Sequence, residues 1–495
     1  MTAARFTARL SKSRFVAGWQ CHRLLWWKVH EPGAPELEID AGLQDLFDQG
    51  RQVAEEARKL FPGGVLIDPP PDAYGARIEA TRTALDFGAV AVYEASFEAD
   101  AVFVAVDVLL REGGGFTLIE IKSSTGLKEE HIPDAAVQTH VLRRCGVDVR
   151  RIEIMHLNQE FRHPDAGERF VREDVTRQVE ALMPEVPRLV AEQLAALRGP
   201  LPEVAIGGHC SQPRKCPFWD RCWPAERFSV TKLYRGRAKG LELLERGVKT
   251  MDAIPPAQKL TDIQRRQKRS AERDALVVEP RLGAALEPFS GRLGFLDFET
   301  ISRAIPVWPG LGPWRPTTVQ FSYHEARPGG GYSHVGWLAE GPEDPRDELA
   351  RVMLETTQHA ERIVMYSAYE RTQIKALAEA LPRWRSDLLA LEGKLIDLLP
   401  VMQNNLYHPD FHGSFSLKYA LTPMVPSLTY RDLLIQEGMT ASVEIWRLLF
   451  VAHLIPPAAR DQLRADLLAY CERDTLAMVK LLERLRHLAG SGALG

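Results

Sequence analysis

The chain has 495 residues, 45% of them hydrophobic and 26% charged, the balance of a globular protein rather than a disordered one. That length predicts two or three domains, each able to bury its own core. A formal net charge of −4 argues against a uniformly basic nucleic-acid binder, although local patches suffice for phosphate contacts. The N-terminus has no uninterrupted apolar run of the secretory kind, and no stretch is long enough to span a bilayer, so a cytoplasmic location is expected.

Taken in chain order, the first chemical signal is Cys21, in Gly18-Trp19-Gln20-Cys21-His22-Arg23. Residues 102–110 and 116–122 then read as two β-branched, apolar strands separated by Gly113-Gly114-Gly115, a hairpin signal. Side chains alternate along a strand, so Glu120 and Lys122 share a face while Ile121 turns into the core. With Asp107 on the neighbouring strand facing the same way, two carboxylates and an amine converge on one small volume. Such carboxylates repel unless a cation lies between them, and hard oxygen ligands suit Mg²⁺ or Mn²⁺. A lysine beside them can orient or activate water and stabilise developing phosphate charge. Asp and Glu-x-Lys also occur on solvated edge hairpins, so this pattern alone leaves both readings open.

An amphipathic helical stretch is expected over about 175–197, followed by a turn-rich loop carrying Cys210-x5-Cys216-x5-Cys222. Clustered cysteines in a chain without a secretory signal bind metal or do redox chemistry more often than they form disulfides. Cys21, Cys210, Cys216 and Cys222 could hold an iron–sulfur cluster or a structural zinc, and His22 and His209 leave a mixed zinc site open. Trp26, Trp27, Trp219 and Trp223 are expected to pack around that site. Cys145 and Cys471 are expected to be inert buried thiols, and His140, His408 and His412 are assigned no role.

These residues resemble the RecB-like PD-(D/E)XK nucleases with an iron–sulfur staple, among them the CRISPR-adaptation exonucleases and the bacterial AddB-type nuclease domains. The resemblance spans about residues 8–226. It runs through Val92-Tyr93-Glu94-Ala95-Ser96-Phe97, Val106-Asp107-Val108-Leu109, Ile119-Glu120-Ile121-Lys122-Ser123-Ser124 and Ala135-Ala136-Val137-Gln138 to the cysteine trio. It implies Asp107, Glu120 and Lys122 as catalytic residues, with Gln138 on a helix that contacts the site. It also implies a [4Fe–4S] cluster on Cys21, Cys210, Cys216 and Cys222 that ties the two ends of the domain together. Where that family often has a histidine metal ligand this chain has Ala54, and Glu94, Glu98, Glu55 or Glu56 could substitute. Leu142 stands where the family usually has a tyrosine.

Residues 229–280 read as a helical connector. Leu241 to Glu245, Gly247 and a second short helix ending at Ile254-Pro255 faintly resemble a helix-hairpin-helix, with a plain linker as the simpler expectation. Arg265-Arg266-Gln267-Lys268-Arg269 is expected to form the solvated face of a polar helix. Further on, Leu293 to Leu296 is an apolar strand leading into Asp297-Phe298-Glu299, both acids on one face. In a late helical stretch Tyr470 and Asp474 are four apart, hence on one side of the helix. Such acids are the parts of a two-metal phosphoryl-transfer site in which Tyr470 would position the water.

This second half resembles the tyrosine variant of the DEDD exonucleases, which belong to the ribonuclease H-like fold. Asp297 and Glu299 match the first motif, and Tyr470 with Asp474 the last. Residues 362–370 resemble the second motif, with Ser367 and Glu370 in place of the usual asparagine and aspartate. Leu395-Ile396-Asp397 and Ser416-Leu417-Lys418 are similar to the strand-end aspartate and the Ser-Leu helix start usual beyond that motif. The combination also resembles bacterial proteins in which a RecB-like nuclease precedes a domain of unknown function.

The expectation is therefore an α/β chain with two nuclease domains. Residues 1–228 would form a restriction-endonuclease-like mixed sheet with flanking helices, 229–288 a helical connector, and 289–495 a ribonuclease H-like mixed sheet. Catalytic expectations are Asp107, Glu120, Lys122 and Gln138 in the first site, and Asp297, Glu299, Glu370, Tyr470 and Asp474 in the second. The metal ligands would be Asp107 and Glu120, then Asp297, Glu299 and Asp474, with Mg²⁺ or Mn²⁺ in both sites. The substrate would be DNA, as single strands or duplex ends, or else RNA, and a helicase or defence-system partner is left open. The alternative is a nucleic-acid-binding scaffold in repair or phage defence with one or both sites inactive.

Overall fold

The computed structural model describes residues 8–491; residues 1–7, the start of the segment read for a secretory leader, lie outside the described residues. The fold is α/β, in two compact units. The first runs to Cys222 and takes in Arg303–Trp314; the second holds Trp223–Ser302 and the residues from Arg315 onward, so the connector residues belong to it. No helix among the described residues is long and apolar enough to cross a membrane.

The first unit runs β1 (Leu10–Ser11), α1 (Lys12–Gln20), α2 (His22–His30), α3 (Ala41–Arg58), β2 (Val65–Leu66), α4 (Tyr74–Asp86), β3 (Ala91–Ala99), β4 (Val102–Glu112) and β5 (Gly115–Lys122). It continues with α5 (His131–Arg144), β6 (Val149–Leu157), β7 (Phe170–Asp174), α6 (Thr176–Leu182), α7 (Val186–Arg198) and α8 (Trp219–Cys222). The strands form one mixed sheet in the order β2-β3-β4-β5-β6-β7, with β1 paired parallel to β4. Glu112 pairs with Gly115, so the β4–β5 turn is the two residues Gly113 and Gly114, with φ of 62° and 76°. Two consecutive positive φ values define the type I′ hairpin turn that glycine accepts without strain. One core packs Val104, Val106 and Leu118 with Ala135, Val137 and Val190. On the other side of the sheet Val108, Ile119, Ile121 and Met155 pack with Val53 and with Ala304 from the inserted segment. The single helix expected over 175–197 is two, because Pro184 cannot donate a backbone hydrogen bond and Pro187 opens the second helix.

The second unit begins with α9 (Arg237–Glu245), α10 (Asp262–Arg273), β8 (Val277–Val278), α11 (Leu282–Leu286), β9 (Leu293–Ile301), β10 (Thr317–Ala326), β11 (Tyr332–Leu338), α12 (Arg346–Thr357) and β12 (Arg362–Met365). It ends with α13 (Tyr369–Ala380), α14 (Arg385–Gly393), β13 (Leu395–Asp397), α15 (Leu399–Asn405), β14 (Leu406–Tyr407), α16 (Leu417–Met424), α17 (Gly438–Phe450) and α18 (Pro457–Ser491). Its main sheet has the order β11-β10-β9-β12-β13, so β9 is central, antiparallel to β10 and parallel to β12. Leu296 and Phe298 of β9 enter a core with Leu349, Ile363, Ile374 and Leu388. Asp297 and Glu299 alternate to the opposite face, where α17 and α18 pack.

Two connector expectations change. Gly247, at φ 80°, does stop α9, but residues 251–254 form a turn rather than a second helix. The backbone of this stretch is engaged elsewhere: Met251 N donates to Phe228 O at 2.8 Å, and Lys249 O accepts from Val230 N at 3.0 Å. No helix-hairpin-helix results. The basic run is not a purely solvated face either. Arg266 is 1% exposed, with Nε 2.9 Å from Glu279 Oε1 and Nη1 2.7 Å from Gln403 O.

Candidate metal sites

The first site grows from a defect in the β3–β4–β5 ladder. Pairing skips Glu94 and Asp107, between Tyr93↔Val108 and Ala95↔Val106, and Glu94 takes a φ of 58°. In both strands the alternation slips there: Val104 and Val106 face one core, whereas Val108 faces the other. Such breaks re-aim side chains at functional sites. The β4–β5 ladder reaches only to Val108↔Ile119, and the freed Ile121 N–H donates to Asp107 Oδ2 at 2.7 Å. Glu120, 1% exposed, accepts at Oε1 from Lys122 Nζ at 2.8 Å and from Lys12 Nζ at 2.7 Å. Its Oε2 accepts from Gln138 Nε2 on α5 at 2.9 Å. Lys122 is also ion-paired with Asp134. The structure thus brings Asp107, Glu120, Lys122 and Gln138 together and adds Lys12 and Asp134, which the sequence did not flag.

The charges are strongly coupled. Burial, then the neighbouring Glu120 charge, pushes the Asp107 carboxyl up to about 7. Burial would raise Glu120 too, but Lys12 and Lys122 hold it well below the usual carboxylate range. Burial opposes the Lys122 ammonium, yet Glu120 and Asp134 outweigh it, so the group stays charged. Gln138 is fully buried and its Oε1 has no hydrogen-bond partner, an acceptor left for a cation or a water. The donor set fits a hard divalent cation on Asp107 and Glu120. Among the acids weighed as stand-ins for the family's histidine, Glu94 is close enough to raise Asp107 and pairs with Arg58 at 2.9 Å. Glu98 and Glu56 pair with Arg9 and Arg169.

Cys21, Cys216 and Cys222 border one apolar cluster at the other end of α1, with Cys210 near by. Cys21 joins α1 to α2, Cys222 closes α8, and Cys216 N donates to Cys210 O at 2.8 Å. All are free thiols. Burial pushes Cys216 up to about 11, and the charges of Cys21, Cys222 and Cys210 add to the rise. Burial first, then the neighbouring Cys210 and Cys21, raises Cys222 as well, and such thiols are soft donors whose thiolate forms a bound metal would favour. Trp27 and Phe218, ring centroids 4.9 Å apart, wall the site, with Trp26 beside them. Gln20 Nε2 ties α1 to the cysteine loop at His209 O (2.7 Å) and Arg214 O (2.8 Å). His209 Nε2 lies 3.6 Å from Cys210 Sγ. Cys145, expected to be buried, is exposed.

The second site is built from β9, α13, α16 and α18. Among the described residues, Asp297, Glu299 and Asp474 offer ligand atoms that all lie within 4.8 Å of one another. Burial first, then mutual repulsion, drives Asp297 and Glu299 well above the usual range. Asp474 is raised to about 6 by burial, moderated by the Tyr430 hydroxyl that donates to it. Glu370 stands outside the tight triad in the first turn of α13. It is 4% exposed, its Oε2 has no partner, and burial followed by Asp397 and Asp474 raises it to about 7. Three clustered carboxylates, and a fourth with one unpartnered oxygen, fit divalent cations, which would remove both the repulsion and the orphaned oxygen.

Tyr470 is held by Lys418, whose Nζ donates to its hydroxyl at 3.0 Å. Burial and the nearby acids push that phenol far up, so it stays protonated. Ser367 adopts φ 131°, a strained value, and its N–H donates to Asp397 Oδ1 at 3.2 Å. Cys471 is no isolated thiol: its Sγ lies 3.6 Å from Asp297 Oδ2. Sequence reasoning gave no role to Cys471, Tyr430 or Lys418, because only the fold sets them against the acids.

Residues 294–416 match the family described as a domain of unknown function, DUF2779, a segment that holds β9 and Glu370 but not α18. No curated protein matches the chain. Among solved structures, the family B DNA polymerase from the hyperthermophilic archaeon Pyrobaculum calidifontis aligns at 15% identity with a TM-score of 0.25. That alignment covers 39% of this chain and 24% of the polymerase chain.

Proposed function

We propose that the chain is a metal-dependent nuclease that hydrolyses phosphodiester bonds, exonucleolytically and on DNA in preference to RNA, with an active site in each unit. The observation that carries this reading is the buried Asp297–Glu299–Asp474 triad. An array of acids this close is costly in water-poor surroundings and has an evident use as a cation cradle. Glu370 would complete it. Tyr470, neutral and fixed by Lys418, would orient the attacking water rather than deprotonate it.

In the first unit Asp107 and Glu120 would hold the metal, with Gln138 fixing Glu120. When bound, Mg²⁺ or Mn²⁺ supplies an activated water and charge neutralisation at phosphate. Lys122, kept charged between Glu120 and Asp134, would stabilise the phosphate as its charge develops, not act as a base. For the cysteine site we favour a [4Fe–4S] cluster on Cys21, Cys210, Cys216 and Cys222 over zinc, on the sequence resemblance and on the three other cysteines whose charges reach Cys216. The test is a digestion panel of single- and double-stranded DNA and RNA, labelled at either end, with Mn²⁺, Mg²⁺ or chelator. Metal-dependent shortening supports the reading, and intact substrates throughout sink it in favour of a binding scaffold.

A further inference from the structure

Lys12 breaks two local rules at once. It occupies the first position of α1, where the positive end of the helix dipole disfavours a cation, and no acid in that first turn offsets it. Its ammonium nevertheless points inward and ends 2.7 Å from Glu120 Oε1, across 108 residues of sequence. Local rules broken together mark functional positions.

The hydrogen bonds around Glu120 say what Lys12 does there. A carboxylate oxygen has two acceptor sites, and Oε1 already carries both Lys12 and Lys122. Oε2 carries Gln138. A cation ligated by Glu120 must therefore displace one ammonium or settle at Oε2 with positive charge a few ångströms away. Lys122 has Asp134 as a second partner, whereas Glu120 is the one hydrogen-bond partner of Lys12 among the described residues. Lys12 is thus the group that yields.

We propose that Lys12 is a tethered counter-ion of the first site, competing with the divalent cation for the Asp107–Glu120 pair and so setting how tightly that cation is held. The inference rests on the nuclease reading of that site. Only the side chain of Lys12 can move, because α1 is pinned along its length. Ser11 Oγ accepts from Arg14 N at 3.3 Å, Gln193 Nε2 donates to Phe15 O at 3.1 Å, and Gln20 is tied to the cysteine loop. A short tether keeps the competitor at high local concentration.

The experiment measures Mn²⁺ bound to the full chain without nucleic acid, by electron paramagnetic resonance of the free ion. The background carries Asp297→Asn and Asp474→Asn to silence the second site. Lys12→Met should tighten binding about tenfold, and Lys12→Arg, which keeps the charge, should stay within about twofold of Lys12. Adding Asp107→Asn should abolish the gain. Lys12→Gln serves as the second neutral variant, and circular dichroism checks that each protein is folded. Asp107-dependent binding that neither neutral variant tightens overturns the competition while leaving the nuclease reading intact. Absence of Asp107-dependent Mn²⁺ binding in every variant overturns both.

Discussion

At the scale of single residues, the second site divides into groups that would hold metal and groups that would steer water. Asp297 and Asp474 belong to the first kind, so Asp297→Ala and Asp474→Ala should each lower second-site cleavage by about a thousandfold. Tyr470→Phe removes a hydroxyl that Lys418 already orients, and should cost only about tenfold in kcat. Steady-state rates in a Lys122→Ala background read both effects, and a Tyr470→Phe loss as deep as the aspartate losses would contradict the division. Glu370 poses a sharper question. Its unpartnered Oε2 and a carboxyl raised to about 7 fit the proposal that it is a working cation ligand rather than a decayed one. Glu370→Asp should therefore reduce activity, by about tenfold, because the shorter side chain withdraws from Asp297 and Asp474. Rising activity would mean that glutamate is badly placed.

At the scale of elements, α1 joins the two candidate sites of the first unit, with Lys12 against Glu120 at one end and Cys21 in the cysteine cluster at the other. Metal bound at the proposed cysteine site would contribute folding energy directly, so Cys216→Ser should lower the melting temperature of the first unit and remove absorbance at about 400 nm, where iron–sulfur clusters absorb. Iron, sulfide and zinc analysis checks the assignment; stoichiometric zinc without iron or sulfide contradicts a cluster. Elements also show what could be read in advance. The β4–β5 hairpin and the strand bearing Asp297 and Glu299 were legible, because period-two alternation and a glycine turn are local signals. Lys12 and Asp134 were not, since their meaning comes from β1 pairing with β4 and from α5 packing on β3, β4 and β6 so that Asp134 reaches Lys122. The slip at Glu94 and Asp107 was hidden for a related reason: a left-handed residue within a strand leaves no mark on the hydrophobic pattern. The helix expected after Gly247 failed because pairing with residues 228–230 engaged the Met251 N–H and the Lys249 carbonyl.

At the scale of the whole molecule, the acid clusters link metal, protons and stability. Asp297, Glu299, Glu370 and Asp474 all titrate above their unfolded range, so the folded chain holds protons that the unfolded chain releases. Their stabilising contribution is complete below the unfolded carboxylate range near pH 4 and is lost as pH rises through about 6 for Asp474 and about 7 for Glu370. A divalent cation reverses that loss. Mn²⁺ should accordingly raise the melting temperature more at about pH 8 than at about pH 5, with proton release on binding; equal shifts at both would contradict the linkage.

The central claim is that two metal-dependent sites on one chain cut nucleic acid, and end-labelled single-stranded DNA with Mn²⁺ tests it most directly. Wild type should shorten the strand and chelator should stop it. Lys122→Ala and Asp297→Ala should each leave the products of the other site, and the combined variant should leave the strand intact. Intact DNA with wild type, or cleavage at the wild-type rate by the combined variant, would contradict the account.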